Sequence, residues 1–363
     1  MKIAIIGTRG IPNAYGGFEQ CAEYLSAYLV NKGHDVTVYN SHNHPYSLNE
    51  WKNVKLIHKF DPEKQIGTAG QFIYDLNCIL DCRKRNYDII LQLGYTSNSI
   101  WHRLLPSKPV VITNMDGQEW KRSKYSKPIQ KFLRYAEKLA VISSDYLVSD
   151  SPGIQTYIKQ KYGKDSTFIP YGAEIFNDPS KQVLAKYNLT PLSYDLMICR
   201  MEPENNVETI LDGHVMASRK RDIVVIGDIN TRYGKKIKNK FQNYKTIHFF
   251  GPIYKMIELN NLRHFSNLYF HGHSVGGTNP SLLEAMASGC LVCANDNIFN
   301  QSILGEQAYY FSNSKAVSEL INNYSKDPSE NEKLDANYEK IKNVFSWDAI
   351  TDSYEQLFKE SLK

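Results

Sequence analysis

The densest chemistry in the chain lies in His271-Gly272-His273-Ser274-Val275-Gly276-Gly277-Thr278-Asn279-Pro280-Ser281-Leu282-Leu283-Glu284. Asn279 is a good N-cap and Pro280 a good first-turn residue, so a helix begins there and stops at Gly289. N–H groups in its first turn, around Ser281 and Leu282, make a field that suits a diphosphate. Glu284 falls one turn later on the same face, where a carboxylate can accept from paired ribose hydroxyls. A capping network for Asn279 and a solvent-facing Glu284 are the plain alternatives. His271 and His273 have no third ligand in sight and read as hydrogen-bonded site residues rather than metal ligands.

Other candidates also follow apolar runs. Arg200, in Cys199-Arg200-Met201-Glu202-Pro203-Glu204-Asn205, can neutralise a phosphate by a bidentate contact, or pair with Glu202 or Glu204. Asp116 comes directly after Val110–Thr113 and can act as an acceptor base, bind a sugar hydroxyl, or simply cap the next helix. Gly7-Thr8-Arg9-Gly10 lacks the G-x-G-x-x-G spacing of a dinucleotide turn. Gly16-Gly17 opens a helix, where backbone N–H groups can approach an anion, with Arg9 either a charge clamp or a solvated side chain. From Lys121 to Lys138 seven basic residues stand against one acid, Glu137, with aromatic and aliphatic residues between. That pattern suits an anionic membrane surface, or a solvated charged face.

These residues need a scaffold that presents strand ends. Ile3–Ile6, Val36–Tyr39, Val54–His58, Asp88–Leu93, Val110–Thr113, Lys138–Ile142, Tyr146–Val148 and Thr167–Ile169 read as strands. The alternation restarts after the polar stretch Asn177–Lys186, with Leu196–Cys199, Ile223–Ile226, Thr246–Phe249, Leu268–His271, Leu291–Ala294 and Tyr309–Phe311. Helices between them, including Gly17–Asn31, imply α/β architecture with parallel sheets covered on both faces. The expected domains are 1–172 and 190–345, with 346–363 a terminal helix that can cross back to the first domain. Ligands then belong beyond the carboxyl ends of the strands.

Composition narrows the function classes. The 363 residues are 42% hydrophobic and 22% charged, with 25 Tyr and 15 Phe, which suits folded domains rather than disorder. No run of 18 apolar residues occurs, so a spanning helix is excluded. The opening apolar run is too short for a secretory leader, and the six cysteines lack zinc spacing, so reduced thiols in the cytoplasm are expected. Residues 1–170 hold 22 Lys and Arg against 15 Asp and Glu, whereas the rest hold 21 against 23. An anionic partner is therefore expected on the first domain. No nucleic-acid fold signature accompanies the charge, so nucleic acid is not expected.

In the order and spacing of these motifs the chain resembles the group 1 (family 4) glycosyltransferases. The matching residues run from Gly16-Gly17 through Ile169-Pro170-Tyr171-Gly172, Arg200-x-x-Pro203-Glu204, Gly227-Asp228 and Phe250-Gly251 to Pro280–Gly289 and Phe345-Ser346-Trp347. Gly7-Thr8-Arg9-Gly10-Ile11-Pro12 and Asp116-Gly117-x-Glu119-Trp120 look like the branch containing bacterial rhamnosyltransferases. The resemblance implies the GT-B fold, two Rossmann-like domains facing each other across a cleft, and metal-independent transfer of L-rhamnose from dTDP-L-rhamnose with retention. The implied acceptor is a lipid-linked saccharide, at the inner face of the cell membrane, in surface polysaccharide synthesis.

By that resemblance Asp116 and Arg200 are catalytic. Gly16, Gly17, Arg200, Gly251, His273, Thr278, Asn279, Ser281, Leu282 and Glu284 bind the donor, and Arg9, Glu19 and Glu119 stand on the acceptor side. Two departures from the family pattern stand out. Gly276 occupies the first position of the E-x7-E pair, and Asn205 replaces a phosphate-binding Lys. Two alternatives stay open: a nucleotide-sugar epimerase or hydrolase, and a non-catalytic nucleotide-sugar-binding partner, which these two departures support.

Overall fold

β-Branched runs that are apolar at every position have no solvent face, and each becomes a strand covered on both sides. Ile3, Ala4, Ile5 and Ile6 are all fully buried. The computed structural model describes residues 1–115, 117–122, 125–275 and 277–363; Asp116 and Gly276, named above, lie outside the described residues, as do Ser123 and Lys124 of the basic segment. The first strands are β1 (Lys2–Ile6), β2 (Asp35–Ser41), β3 (Glu50–Trp51), β4 (Val54–Lys59), β5 (Ile89–Leu93), β6 (Val110–Asn114), β7 (Tyr146–Ser149) and β8 (Thr167–Phe168). They form one sheet in the order β3-β4-β2-β1-β5-β6-β7-β8, parallel except for the antiparallel edge pair β3–β4.

The second set is β9 (Tyr194–Ile198), β10 (Asp222–Ile226), β11 (Ile247–Gly251), β12 (Tyr269–His271), β13 (Val292–Asn295) and β14 (Tyr309–Phe311). Its order is β11-β10-β9-β12-β13-β14, parallel throughout. In each sheet the strand order reverses beside the first strand of the set, between β1 and β5 and between β9 and β12. Crossover connections leave the two strands there in opposite directions, which opens a crevice at their carboxyl ends.

Contacts divide the chain into two units. The first holds Met1–Lys121, Tyr125–Tyr171 and Trp347–Lys363; the second holds Gly172–Ser346, together with Arg122. The last helix, Trp347–Ser361, packs on the first unit through Tyr354 and Phe358, both buried. Trp347 stacks on Tyr24 at 4.5 Å between ring centroids, and Asn114 donates to the Tyr354 hydroxyl at 2.8 Å. No helix of the described residues is long and apolar enough to cross a membrane.

One expected strand is corrected. Lys138–Ile142 is the end of the helix Lys127–Ser143, which buries Leu133, Ala136, Glu137, Ala140 and Val141. Those positions recur at helical spacing. Burial of that stripe outweighs the weak local preference of Val141 and Ile142 for strand.

Candidate functional site

In the second unit Arg200, Asn205 and His273 meet where the strand order reverses. β9 ends at Ile198, and two residues later the chain surfaces at Arg200. The turn that follows is held locally: the Glu202 N–H donates to the Arg200 carbonyl at 2.8 Å, and Asn205 Nδ2 donates to the same oxygen at 2.7 Å. Buried Met201 anchors it from below. Across the crevice β12 ends at His271, and Gly272 passes so close that a Cβ there would lie 1.9 Å from the Asn205 carbonyl oxygen. Only glycine allows that approach. Asn206 Nδ2 donates to the Gly272 carbonyl at 2.8 Å, and Ser274 donates from its N–H and Oγ to the Glu204 carbonyl at 3.0 and 2.8 Å.

His273 joins the two turns, with Nδ1 2.9 Å from Asn205 Oδ1. Because the Asn205 amide nitrogen is committed to the Arg200 carbonyl, the Asn205 oxygen faces the ring and Nδ1 carries the proton. The ring also makes a hydrogen bond with the Val275 backbone. Burial, with the nearby charges of Arg122 and Arg200, pushes the His273 pKa down to about 4, so the ring is neutral at physiological pH. Asn297 and Asn300, which the sequence reading does not single out, each donate from Nδ2 to the His273 carbonyl at 3.0 Å. Burial pushes His271 down to about 3, and its Nε2 is buried without a partner among the described residues. Among the described residues no group of three His, Cys, Asp or Glu side chains could hold a metal ion.

The Arg200 guanidinium is exposed and makes no ion pair among the described residues, so the alternative of a pair with Glu202 or Glu204 is not what the structure has. Glu204 instead lies 3.8 Å from Arg122. Asn279 caps the helix Pro280–Ala287, its Oδ1 accepting from the Ser281 N–H at 2.9 Å, while the Leu282 N–H donates to the Asn279 carbonyl at 3.0 Å. The first-turn amides of Ser281 and Leu282 are thus engaged inside the cap. The Ser281 hydroxyl points inward to the Tyr269 hydroxyl at 3.0 Å, and the Leu282 side chain is core. Thr278 is buried. Gly251 ends β11 with φ of 72°, a left-handed conformation that favours glycine although nothing crowds it.

Glu284 is the side chain whose surroundings are least legible in sequence. Its Oε2 accepts from Arg263 NH2 at 2.6 Å, and Arg263 is 1% exposed. Oε1 has no partner among the described residues. The available signal for Arg263 is a lone basic residue set among Leu259, Leu262 and Phe265, all buried.

The first unit places its candidates around the loop after β1. Gly10 packs against Asn40, whose side chain accepts from the Ile11 N–H at 3.1 Å and donates to the Ile11 carbonyl at 2.8 Å. The Arg9 guanidinium donates twice to Glu63, at 2.8 and 2.7 Å, and lies 3.6 Å under the Tyr15 ring. Its charge is matched there rather than left open as a clamp. Buried Glu19 accepts from the Arg9 N–H at 2.8 Å and so braces the same loop. Gly16 is extended and Gly17 begins the helix Gly17–Asn31. Glu119 starts a short turn, Glu119–Lys121.

Two acids here carry unforeseen roles. Glu137, the one acid of the basic segment, is buried and accepts from Trp120, Tyr157, Lys161 and Tyr162 at 3.1, 2.8, 2.9 and 2.6 Å. With that acid withdrawn, the exposed face of the helix presents Lys127, Lys131, Arg134 and Lys138 beside exposed Ile129, Tyr135 and Ile142. Asp75 is buried against the Ser97 hydroxyl at 2.5 Å, and burial raises its pKa to about 7.

Residues 1–174 match a family model described as a domain of unknown function (DUF1972). A comparison with curated proteins finds no match. Among solved structures the chain is similar to a sucrose-phosphate synthase from Thermosynechococcus elongatus, with a TM-score of 0.80 and 18% identity over 99% of this chain and 98% of that one. It is similar to Anabaena HepE in complex with UDP, at 0.77 and 16% over 99% and 100% of the two chains. A glycosyltransferase from Rickettsia africae aligns at 0.73 and 15%, over 100% and 99%. The fold is GT-B. HepE has also been solved with UDP-glucose.

Proposed function

We propose that the protein is a retaining glycosyltransferase that moves L-rhamnose from dTDP-L-rhamnose to a lipid-linked saccharide at the inner face of a bacterial membrane. The observation that carries this reading is the Arg200–Asn205–His273 network at the strand-order reversal of the second unit, on a fold whose solved examples include one with UDP and UDP-glucose. Transfer requires a departing diphosphate to be stabilised while the sugar gains oxocarbenium character. Arg200, charged and without an ion pair among the described residues, suits the diphosphate oxygens. The neutral His273 ring suits a sugar hydroxyl, and Glu284 Oε1 a ribose hydroxyl. Gly16 and Gly17 border the phosphate and acceptor, and Asp116 is the acid–base or positioning group. A 6-deoxy sugar fits a site with Gly276 where relatives carry a Glu, since a methyl asks for no polar partner.

The basic and apolar face of Lys127–Ser143 supports membrane docking near a lipid-linked acceptor. Incubation with dTDP-L-rhamnose alone, then with a polyprenyl-diphosphate-linked saccharide, tests the reading. Release of dTDP only when acceptor is present, and a product with the donor's anomeric configuration, are expected. Release without acceptor points to an epimerase or hydrolase, and binding without release to a non-catalytic partner.

A further inference from the structure

We infer that Arg263 is a positioning residue that limits how strongly Glu284 can read the second ribose hydroxyl, an inference resting on the donor reading above. Arg263 lies on the helix Met256–His264 and is almost wholly shielded from water. A guanidinium does not shed its proton, so a buried one needs a fixed counter-charge. Glu284 Oε2 supplies it at 2.6 Å. The other contacts hold the guanidinium plane: NH1 donates to Asn260 Oδ1 at 3.0 Å and approaches the Met256 sulfur at 3.8 Å, and NH2 also reaches Ser281 Oγ at 3.3 Å. Ser281 Oγ is fixed in turn by the Tyr269 hydroxyl at 3.0 Å.

The consequence is an anchored carboxylate. Glu284 cannot rotate without stripping a buried cation of its partner, which is strongly unfavourable. An unanchored carboxylate accepts a vicinal diol with one oxygen for each hydroxyl. Glu284 has one oxygen committed inward and one, Oε1, without a partner among the described residues, on a side chain that is 16% exposed. A 2′-deoxyribose carries a single hydroxyl on that edge and is fully served by one oxygen. The 2′-hydroxyl of a ribose must share Oε1 with its 3′ neighbour rather than take an oxygen of its own, so its favourable contribution is reduced.

UDP and dUDP differ only in the 2′-hydroxyl, so calorimetry with this pair isolates the effect from base recognition. The wild-type protein is expected to bind them within about twofold of each other. Arg263→Met frees Glu284 to use both oxygens, and the preference for UDP over dUDP should rise about tenfold. Arg263→Lys keeps a counter-charge and should hold the ratio near wild type. An arginine that only stabilises the fold would shift the melting temperature and both affinities together, leaving the ratio unmoved. A folded Arg263→Met with an unchanged ratio overturns the inference. So does a wild-type protein that prefers UDP by tenfold, which decides the matter even if Arg263→Met does not fold. If UDP, dUDP and dTDP all fail to bind, the donor reading itself falls, and this inference with it.

Discussion

Asn205 stands between Arg200 and His273, giving its amide N–H to the Arg200 carbonyl and its oxygen to the His273 ring at 2.9 Å. An amide is the side chain for this place, because it donates on one side and accepts on the other. A lysine here could do only the first. The prediction is that nitrogen-15 NMR of the imidazole finds Nδ1 protonated at pH 7, and that Asn205→Leu scrambles the tautomer. The same variant should weaken binding of the nucleotide sugar by roughly 1 kcal/mol, the size of one hydrogen bond, while affinity for the bare nucleoside diphosphate stays put. An Nε2-protonated ring in the wild type would remove the argument.

Acid should destabilise the second unit. His273 and His271 have folded pKa values pushed down to about 4 and 3, below the ordinary value near 6.5. Their contribution is fully present above the unfolded value and is lost as pH falls through the folded ones. Chemical unfolding followed from pH 7 to 3 should show the loss, and His271→Gln should flatten it. A stability curve indifferent to that substitution would exclude His271 as a source.

Asp75 has the opposite sign. Its folded pKa near 7 lies above the usual carboxylate value of about 4, so its stabilisation is present in acid and lost as pH rises through 7. Asp61 raises the value and Arg9 lowers it. Asp75→Asn can still accept from Ser97 and needs no proton, so it should be more stable than wild type at pH 8, on the order of 2 kcal/mol, with the gap closing near pH 4, the unfolded value. Equal melting temperatures at pH 8 would contradict the assignment.

The basic face makes a third kind of prediction. Each Lys or Arg close to an anionic surface contributes about 1 kcal/mol. Replacing Lys131, Arg134 and Lys138 by Glu should abolish co-sedimentation with phosphatidylglycerol vesicles, and wild-type binding should weaken steadily with salt. Binding that ignores ionic strength would argue for a soluble acceptor.

Asp116→Asn tests the catalytic proposal most directly. Turnover is expected to fall roughly a hundredfold or more with donor affinity retained, as for an acid–base or positioning group. Wild-type turnover would reduce Asp116 to a helix cap.

Relations between near neighbours in the chain were legible without a structure. Ile3–Ile6 running into Gly7, and Asn279 capping the amide two residues on, are settled by local sterics and hydrogen bonding, and the apolar runs alone implied parallel sheets. The pairings that define the site were not. Asn205 and His273 are 68 residues apart, Arg9 and Glu63 are 54 apart, and Arg263 and Glu284 are 21 apart. Each pair is brought together by tertiary packing of segments that are separate in the chain, at loops beyond strand ends in the first two cases and between two helices in the third. Glu137 was equally opaque, because a lone acid in a basic run reads as solvated until Tyr157, Lys161 and Tyr162 fold over it. Composition and spacing show which groups a chain owns. Which of them spend their charge on one another depends on burial, because only removal from water makes an unpaired charge costly enough to dictate its partner.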